Sequence, residues 1–305
     1  MLTLPQRAVP AILKLTGRNE IFWDREAAEQ HVEGRLLRPR PFAPPRRLGA
    51  EVSITRQDAS GWPVYTITAR SGAAQSGPRG NTVFVHGGGW VNEIAAQHWR
   101  LAARIAAENA TTVTVPIYPL APQGTAEQVV MGVASSVRDS VDRGVETRLF
   151  GDSAGGQIAL SAALQLRDAG VVLPRTVLLS PALDLTWSNP GIDLVQPSDP
   201  WLARPGGRHF SELWRDSLPV TDPRVSPLHG DLTGLGPLSV FIGTRDILNP
   251  DTQLLREAAV AAGVEVDFYE REGEVHVYAL LPTAWGRQDR QRIIEALRPS
   301  ADHVA

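Results

Sequence analysis

The stretch Arg148-Leu-Phe-Gly-Asp-Ser-Ala-Gly-Gly-Gln157 decides the fold of this 305-residue chain, because it joins a short apolar run to a helical one. Its centre, Gly151-Asp-Ser-Ala-Gly155, has the G-x-S-x-G spacing that lets a serine occupy a tight turn between a strand and a helix. A glycine-rich turn with an incidental serine would share the pentapeptide alone. The apolar run before it and the helix-forming residues 157–166 after it favour a nucleophile at Ser153, beside a helix N-terminus.

Short apolar runs alternate with helical stretches on both sides of this turn. Strands are predicted at residues 51–55, 64–68, 82–85, 112–117, 148–150, 176–179, 238–242 and 264–269. Helices are predicted at about residues 97–109, 124–142, 155–169, 250–262 and 287–297, and a turn at 71–80. The first two strands alternate as antiparallel strands do, whereas most later ones are apolar throughout. The pattern predicts an α/β fold with a mixed, mostly parallel central sheet flanked by helices.

The predicted sheet is divided by a segment without strands. We expect residues 46–186 and 218–300 to form the two parts of the α/β core. Residues 187–217 are an insertion that contains Trp187, Trp201 and Trp214. Residues 1–45 are an N-terminal segment that ends in a proline-rich linker. Because an insertion this long is usually functional, we expect it to form a helical cap with the N-terminal segment; a purely structural excursion is the alternative.

A second motif ends the strand predicted at residues 82–85. Three successive glycines follow it in His86-Gly-Gly-Gly-Trp90, and such a triplet serves backbone shape or the close approach of a ligand. Its place after an early strand and before the Ser153 turn fits a loop whose amides stabilise an oxyanion. A phosphate-binding loop is disfavoured, because neither Gly-Lys-Ser/Thr nor G-x-G-x-x-G follows. We expect His86 to hold the loop rather than to act as a base.

A serine nucleophile needs a general base and an orienting carboxylate. His276 follows the last predicted strand by a short loop and opens a predicted helix, which favours it over the early His229 and over His303 in the polar tail. Asp246 follows the strand 238–242 at the same edge of the sheet, and is our candidate for the acid. Asp251, one helical turn later, is the alternative acid, or else a carboxylate at a helix N-terminus.

The composition of the chain excludes or disfavours several classes of function. The chain has no cysteine, so thiolate catalysis, disulfides and cysteine zinc sites are excluded. A net charge of −3 without long single-sign blocks gives no reason to expect nucleic acid as a partner. There is no apolar stretch of membrane-spanning length, no leader pattern and no H-E-x-x-H motif. We expect a soluble cytoplasmic protein without metal or organic cofactor, and the last strand, as a sheet edge, makes a homodimer plausible.

The chain resembles the hormone-sensitive-lipase-like esterases of the α/β-hydrolase superfamily. The matching pieces are His86-Gly-Gly-Gly-Trp90, Tyr118-Pro-Leu-Ala-Pro122, Gly151-Asp-Ser-Ala-Gly-Gly156, Asp222-Pro-Arg-Val-Ser-Pro-Leu228, Gly243-Thr-Arg-Asp246 and His276. The resemblance implies an α/β-hydrolase fold with a helical cap, and the triad Ser153, Asp246 and His276. It further implies oxyanion donors at the amides of Gly88, Gly89 and Ala154. The usual Tyr-Arg-Leu-Ala-Pro-Glu is Tyr118-Pro-Leu-Ala-Pro-Gln123 here, which removes two charges but no reacting group.

The function that the resemblance implies is that of a serine carboxylesterase acting on a small-molecule ester through an acyl-enzyme. Trp90 beside the glycine loop and the tryptophans of the insertion indicate a compact apolar pocket for short-to-medium acyl groups, with packing as the other interpretation of each indole. Hydrolysis of aryl-formamides, lactones or carbamates is the alternative on the same site. A small-molecule receptor is the alternative outside enzymes, although the presence of His276 favours an enzyme.

Overall fold

The computed structural model describes residues 4–15, 17, 19–59, 61–70 and 80–300. Of the predicted turn at 71–80 only Gly80 is among them, and His303 is not. The strands are β1 Val52–Ala59, β2 Trp62–Ala69, β3 Asn81–Val85, β4 Thr112–Pro116, β5 Thr147–Asp152, β6 Thr176–Leu179, β7 Leu238–Gly243 and β8 Val266–Arg271. They form one sheet in the order β1-β2-β4-β3-β5-β6-β7-β8.

The sheet is antiparallel at one side and parallel elsewhere. Strand β2 pairs antiparallel with both β1 and β4, while every pair from β4 to β8 is parallel. The predicted mixed, mostly parallel α/β sheet is therefore confirmed. Because all the parallel strands run the same way, the loops after β3, β5 and β7 emerge at one edge of the sheet.

Helices cover both faces of this sheet. Their bounds are α1 Val9–Leu15, α2 Glu20–Trp23, α3 Arg25–Leu37, α4 Ala96–Asn109, α5 Ala126–Asp142, α6 Ala154–Asp168, α7 Gly191–Val195, α8 Arg204–Arg215, α9 Asn249–Ala261 and α10 Ala284–Ala296. Successive strand residues point to opposite faces. Val83 and Leu149 accordingly pack with α5 and α6, whereas Phe84 and Phe150 pack with α4 and α10.

The N-terminal helices and the 187–217 insertion contact each other. Phe22 of α2 and Phe210 of α8 meet edge to face, with ring centroids 5.5 Å apart. The two helices approach so closely that a Cβ at Gly206 would collide with the carbonyl oxygen of Ile21. A glycine at this position therefore allows the N-terminal segment to sit directly on α8. The boundaries between core and cap given above remain predictions.

We expect Gly206→Ala to lower the free energy of unfolding by about 1–3 kcal/mol, since backbone must move to make room for a methyl group. Urea unfolding measures this change. Gly34→Ala in α3 is the matched control, because a Cβ there meets nothing within 4 Å. That control should gain about 0.5–1 kcal/mol from helix propensity. Equal behaviour of the two variants would contradict close packing of α2 on α8.

Candidate active site

Ser153 lies on the turn between β5 and α6 in a rare backbone conformation, with φ 55° and ψ −121°. Two glycines permit this turn. A Cβ at Gly151 would collide with the carbonyl oxygen of Gly155, and a Cβ at Gly155 would collide with that of Val85 at the end of β3. The small residues of the G-x-S-x-G motif thus let α6 begin directly against two strands, with the serine at the apex.

The structure brings together the three side chains predicted for the triad. The Nε2 atom of His276 lies 2.9 Å from Ser153 Oγ, and its Nδ1 atom lies 2.9 Å from Asp246 Oδ2. Asp246 is fully buried and His276 is 4% exposed. Since the carboxylate only accepts, Nδ1 donates to Asp246 and leaves Nε2 to accept a hydrogen bond from the Ser153 hydroxyl. Asp251, the alternative acid, instead accepts from the Asn189 amide at 2.7 Å.

The loop that carries His276 is held by hydrogen bonds from other elements. The Val277 amide donates to Ser180 Oγ at 3.0 Å, and the Arg245 amide donates to the Glu274 carbonyl at 3.0 Å. The second bond joins the His276 loop to the turn that carries Asp246. His276 and Asp246 are therefore fixed relative to each other by backbone contacts as well as by their own hydrogen bond.

Burial and charge act in opposite directions on His276. Burial alone would lower the pKa of its imidazole. The charge of Asp246 and its hydrogen bond, followed by the charges of Asp199 and Asp152, outweigh burial and leave the pKa above its ordinary value of 6.5. The imidazolium that forms when His276 takes a proton is therefore stabilised in this site.

The glycine loop after β3 adopts conformations that favour glycine. Gly88 and Gly89 have φ values of 135° and 62°. The loop is also tied down: Asn92 Nδ2 donates to the Gly88 carbonyl at 3.0 Å, and the Tyr118 hydroxyl donates to the His86 carbonyl at 2.7 Å. The ring of His86 stacks on that of Tyr118, which agrees with a holding role for His86.

Asp152, next to Ser153, links this loop to α4. Its Oδ1 accepts from the Gly87 amide at 3.0 Å, and its Oδ2 lies 3.1 Å from His98 Nε2. Since His98 Nδ1 accepts from the Ala95 amide, Nε2 carries the proton and donates to Asp152. His98 and this use of Asp152 were not predicted from the sequence, although a carboxylate at the end of an apolar strand was a signal.

Trp90 and Trp214 share one acceptor. Their indole N–H groups donate to Gln157 Oε1 at 3.0 and 2.9 Å, and the rings stack with centroids 5.8 Å apart. Gln157, on the first turn of α6, is fully buried. These contacts join α8 to the glycine loop and to α6. A glutamine at the head of the mostly apolar run 157–166 was the signal for Gln157 in the sequence.

Aromatic side chains from the N-terminal segment and the insertion lie over the glycine loop. A Cβ built on Gly89 would be 3.5 Å from the ring of Phe210 and 3.7 Å from that of Phe22.

Within the described residues, no group of three or more His, Cys, Asp or Glu side chains could hold a metal ion. No helix in the same part of the chain is long and apolar enough to span a bilayer.

The sheet carries a serine at the turn after its central strand β5, and Asp246 and His276 lie at the same edge. This arrangement is that of an α/β hydrolase. The chain belongs to the α/β-hydrolase-fold family, which it matches over residues 82–280. It is 35% identical over 245 residues to a triacylglycerol lipase of Mycobacterium tuberculosis, covering 78% of this chain and 49% of the lipase. The chain therefore spans about half the length of that relative.

Two further proteins place the chain within the family. An acetyl-hydrolase of Streptomyces hygroscopicus is 31% identical over 203 residues, covering 64% of this chain and 67% of the relative. The crystal structure of an esterase from the bacterial hormone-sensitive lipase family superposes with a TM-score of 0.75 at 25% identity, covering 90% of this chain and 96% of that one. The resemblance to hormone-sensitive-lipase-like α/β hydrolases is thereby confirmed.

We expect His98→Ala to lower the free energy of unfolding by about 1–3 kcal/mol, because it removes a donor from the buried Asp152 carboxylate. His98→Gln, which can still donate, should recover part of the loss. Urea unfolding compares both with His229→Ala, which removes a more exposed partner of Asp184. That control should cost less than about 1 kcal/mol. A loss in His98→Ala no larger than in the control would contradict the role of His98.

Proposed function

We propose that this protein is a serine carboxylesterase that hydrolyses short-to-medium acyl esters. The observation that carries the proposal is the continuous hydrogen-bonded chain from Ser153 Oγ through His276 to Asp246, with 2.9 Å at each step. In this arrangement the nucleophile, its base and the group that orients the base are all within reach of one another. The esterase, lipase and acetyl-hydrolase relatives support the same reaction.

The proposed reaction proceeds in two steps through an acyl-enzyme. Ser153 attacks the ester carbonyl while His276 takes the hydroxyl proton, and Asp246 holds the imidazole and stabilises its positive charge without taking the proton. His276 then returns the proton to the departing alcohol. A water molecule hydrolyses the acyl-enzyme by the same route and regenerates the serine.

We propose that backbone amides stabilise the negative charge on the carbonyl oxygen in both steps. The donors are Gly88 and Gly89 of the glycine loop and Ala154, the first residue of α6. Amides fixed in place before the reaction are worth about 3 kcal/mol each in such sites. The bonds from Asp152 and Tyr118 to the loop support this role, because they hold it against the start of α6.

The preference for short-to-medium acyl groups is supported by the rings around the glycine loop. Phe22 and Phe210 lie over Gly89, and Trp90 is buried beside it against Trp214. Bulky rings so close to the reacting carbonyl leave a compact apolar site. We propose Trp90 as part of its wall. A homodimer through the edge strand β8, the absence of nucleic acid as a partner and a cytoplasmic location stay predictions.

Hydrolysis of p-nitrophenyl esters from acetate to dodecanoate tests this function. We expect activity to be highest on short chains and to fall by more than about 10,000-fold in Ser153→Ala. Ser188→Ala, an exposed serine of the insertion, is the control and should retain activity. A fluorophosphonate should label the native protein at Ser153. Labelling without ester turnover would favour formamides, lactones or carbamates as the substrates. Folded protein that is not labelled would favour a small-molecule receptor.

The dependence of kcat/KM on pH tests the base and the acid. His276 must be neutral to accept the serine proton, so activity should fall as the pH drops through its raised pKa, with a midpoint above 6.5. Asp246→Asn removes the largest stabilising charge, which should move the midpoint to lower pH and reduce kcat by about 100- to 10,000-fold. Asp251→Asn should leave kcat within about two-fold. The opposite ranking of the two variants would make Asp251 the acid.

A further inference from the structure

Asp199 is a buried carboxylate that the proposed reaction does not use. It lies in the insertion, just after α7, and is 1% exposed. Its Oδ1 accepts from the amides of Trp201 and Leu202 at 2.7 and 3.0 Å. Its Oδ2 accepts from the amide of Ile247 at 2.8 Å. The first two bonds form a local turn, but the third crosses to the residue that directly follows Asp246.

The residues around Asp199 contact both the turn that carries Asp246 and the imidazole of His276. We call residues 198–202 the strap and residues 245–247 the acid turn. The Arg245 guanidinium donates twice to the Ser198 carbonyl, at 3.1 Å from Nε and 2.9 Å from Nη2. The Trp201 ring meets the His276 imidazole edge to face, with centroids 5.8 Å apart. The strap therefore touches the acid turn at two points and the base at a third.

We infer that Asp199 is a positioning residue: through the strap and the acid turn it holds Asp246 and His276 in their relative positions and adds a second negative charge beside the imidazole. The inference rests on the proposed function, because these relative positions matter only if His276 transfers a proton. It also assigns the insertion a part in the chemistry beyond covering the site.

The choice of a carboxylate is explained by the three donors that meet at Asp199. Two oxygens that only accept can satisfy all three amides, whereas an asparagine of the same size would turn an NH₂ group toward one of them. The charge comes at a cost, since burial and the neighbouring Asp246 raise the pKa of Asp199 to about 7. A buried charge next to a second carboxylate is unfavourable unless something nearby compensates for it.

The three backbone amides that donate to Asp199 favour its ionised form, and the imidazolium that forms when His276 takes a proton adds to their effect. Three carboxylates act on His276 through their charge: Asp246 on the acid turn, Asp199 on the strap and Asp152 at the end of β5. All three act to raise the pKa of His276. By linkage, a proton on His276 in turn favours the ionised form of Asp199. Strap and base are thus coupled by charge as well as by contact.

The test is Asp199→Asn, with the pKa of His276 measured by NMR on protein labelled with ¹⁵N at histidine; a His276→Gln spectrum assigns the signal. We expect the pKa of His276 to fall, since one negative charge is removed. We also expect kcat on p-nitrophenyl butyrate to fall about 10-fold with KM changed by less than about two-fold, since positioning rather than binding is lost. Asp193→Asn, an exposed acid paired with Arg204 in the same insertion, should change neither quantity.

An unchanged pKa of His276 in folded Asp199→Asn overturns the inference, whatever happens to kcat, because a residue that only stabilises the fold would not move it. Should that variant fail to fold, Arg245→Met loosens the strap from its exposed side while Asp199 remains; a kcat lowered several-fold supports the inference and an unchanged kcat overturns it. The NMR titration does not depend on turnover. Native protein without ester hydrolysis but with the shifted pKa would therefore refute the proposed function and leave the placement of Asp199 standing.

Discussion

The backbone of Ser153 is the constraint on which the rest of the site depends. A non-glycine residue with φ 55° and ψ −121° is costly, by about 1–3 kcal/mol, and persists only where packing on every side enforces it. The start of α6 is pressed against β3 and β5 at glycine contacts that no larger residue would allow. The Ser153 amide also donates to the Leu179 carbonyl of β6, at 2.9 Å. The central sheet thus stores the strain that presents the hydroxyl.

Two buried carboxylates near Ser153 and His276 stabilise the site in the same way. Asp152 and Asp199 are both buried, and each joins elements that lie far apart in the chain. Asp152 links the glycine loop to α4, and Asp199 links the insertion to the turn after β7. Carboxylates suit this task because two oxygens can collect donors from different segments. The low dielectric of the interior strengthens each of these hydrogen bonds and raises the free-energy cost of leaving a donor or acceptor unpaired.

The sequence predicted what depends on local pattern. The strand–turn–helix at Ser153 is encoded within about twenty residues, and the side chains at Asp246 and His276 follow strands whose edge is set by the parallel sheet. Contacts between distant segments left no local signal: nothing near Asp199 indicates that Ile247 donates to it, and nothing near Gly206 indicates α2.

Element ends were predicted less well, for physical reasons. Strand β1 continues to Ala59, beyond the predicted 51–55, because pairing with β2 holds the exposed residues there. Helix α10 begins at Ala284 rather than near 287, since the Thr283 side chain accepts from the Gly286 amide and caps it. Hydrogen bonds rather than hydrophobic pattern set both ends, so the apolar period of the sequence could not locate them.

The two indoles that share the Gln157 oxygen have a consequence for spectroscopy. One ring belongs to the glycine loop of the core and the other to α8, and both are shielded from water. The emission of an indole shifts to the red and changes in yield when its N–H partner and its dry surroundings are lost. Any displacement of α8 from the core must break this shared contact. Two of the eight tryptophans of the chain therefore report on the contact between α8 and the start of α6, without an added label.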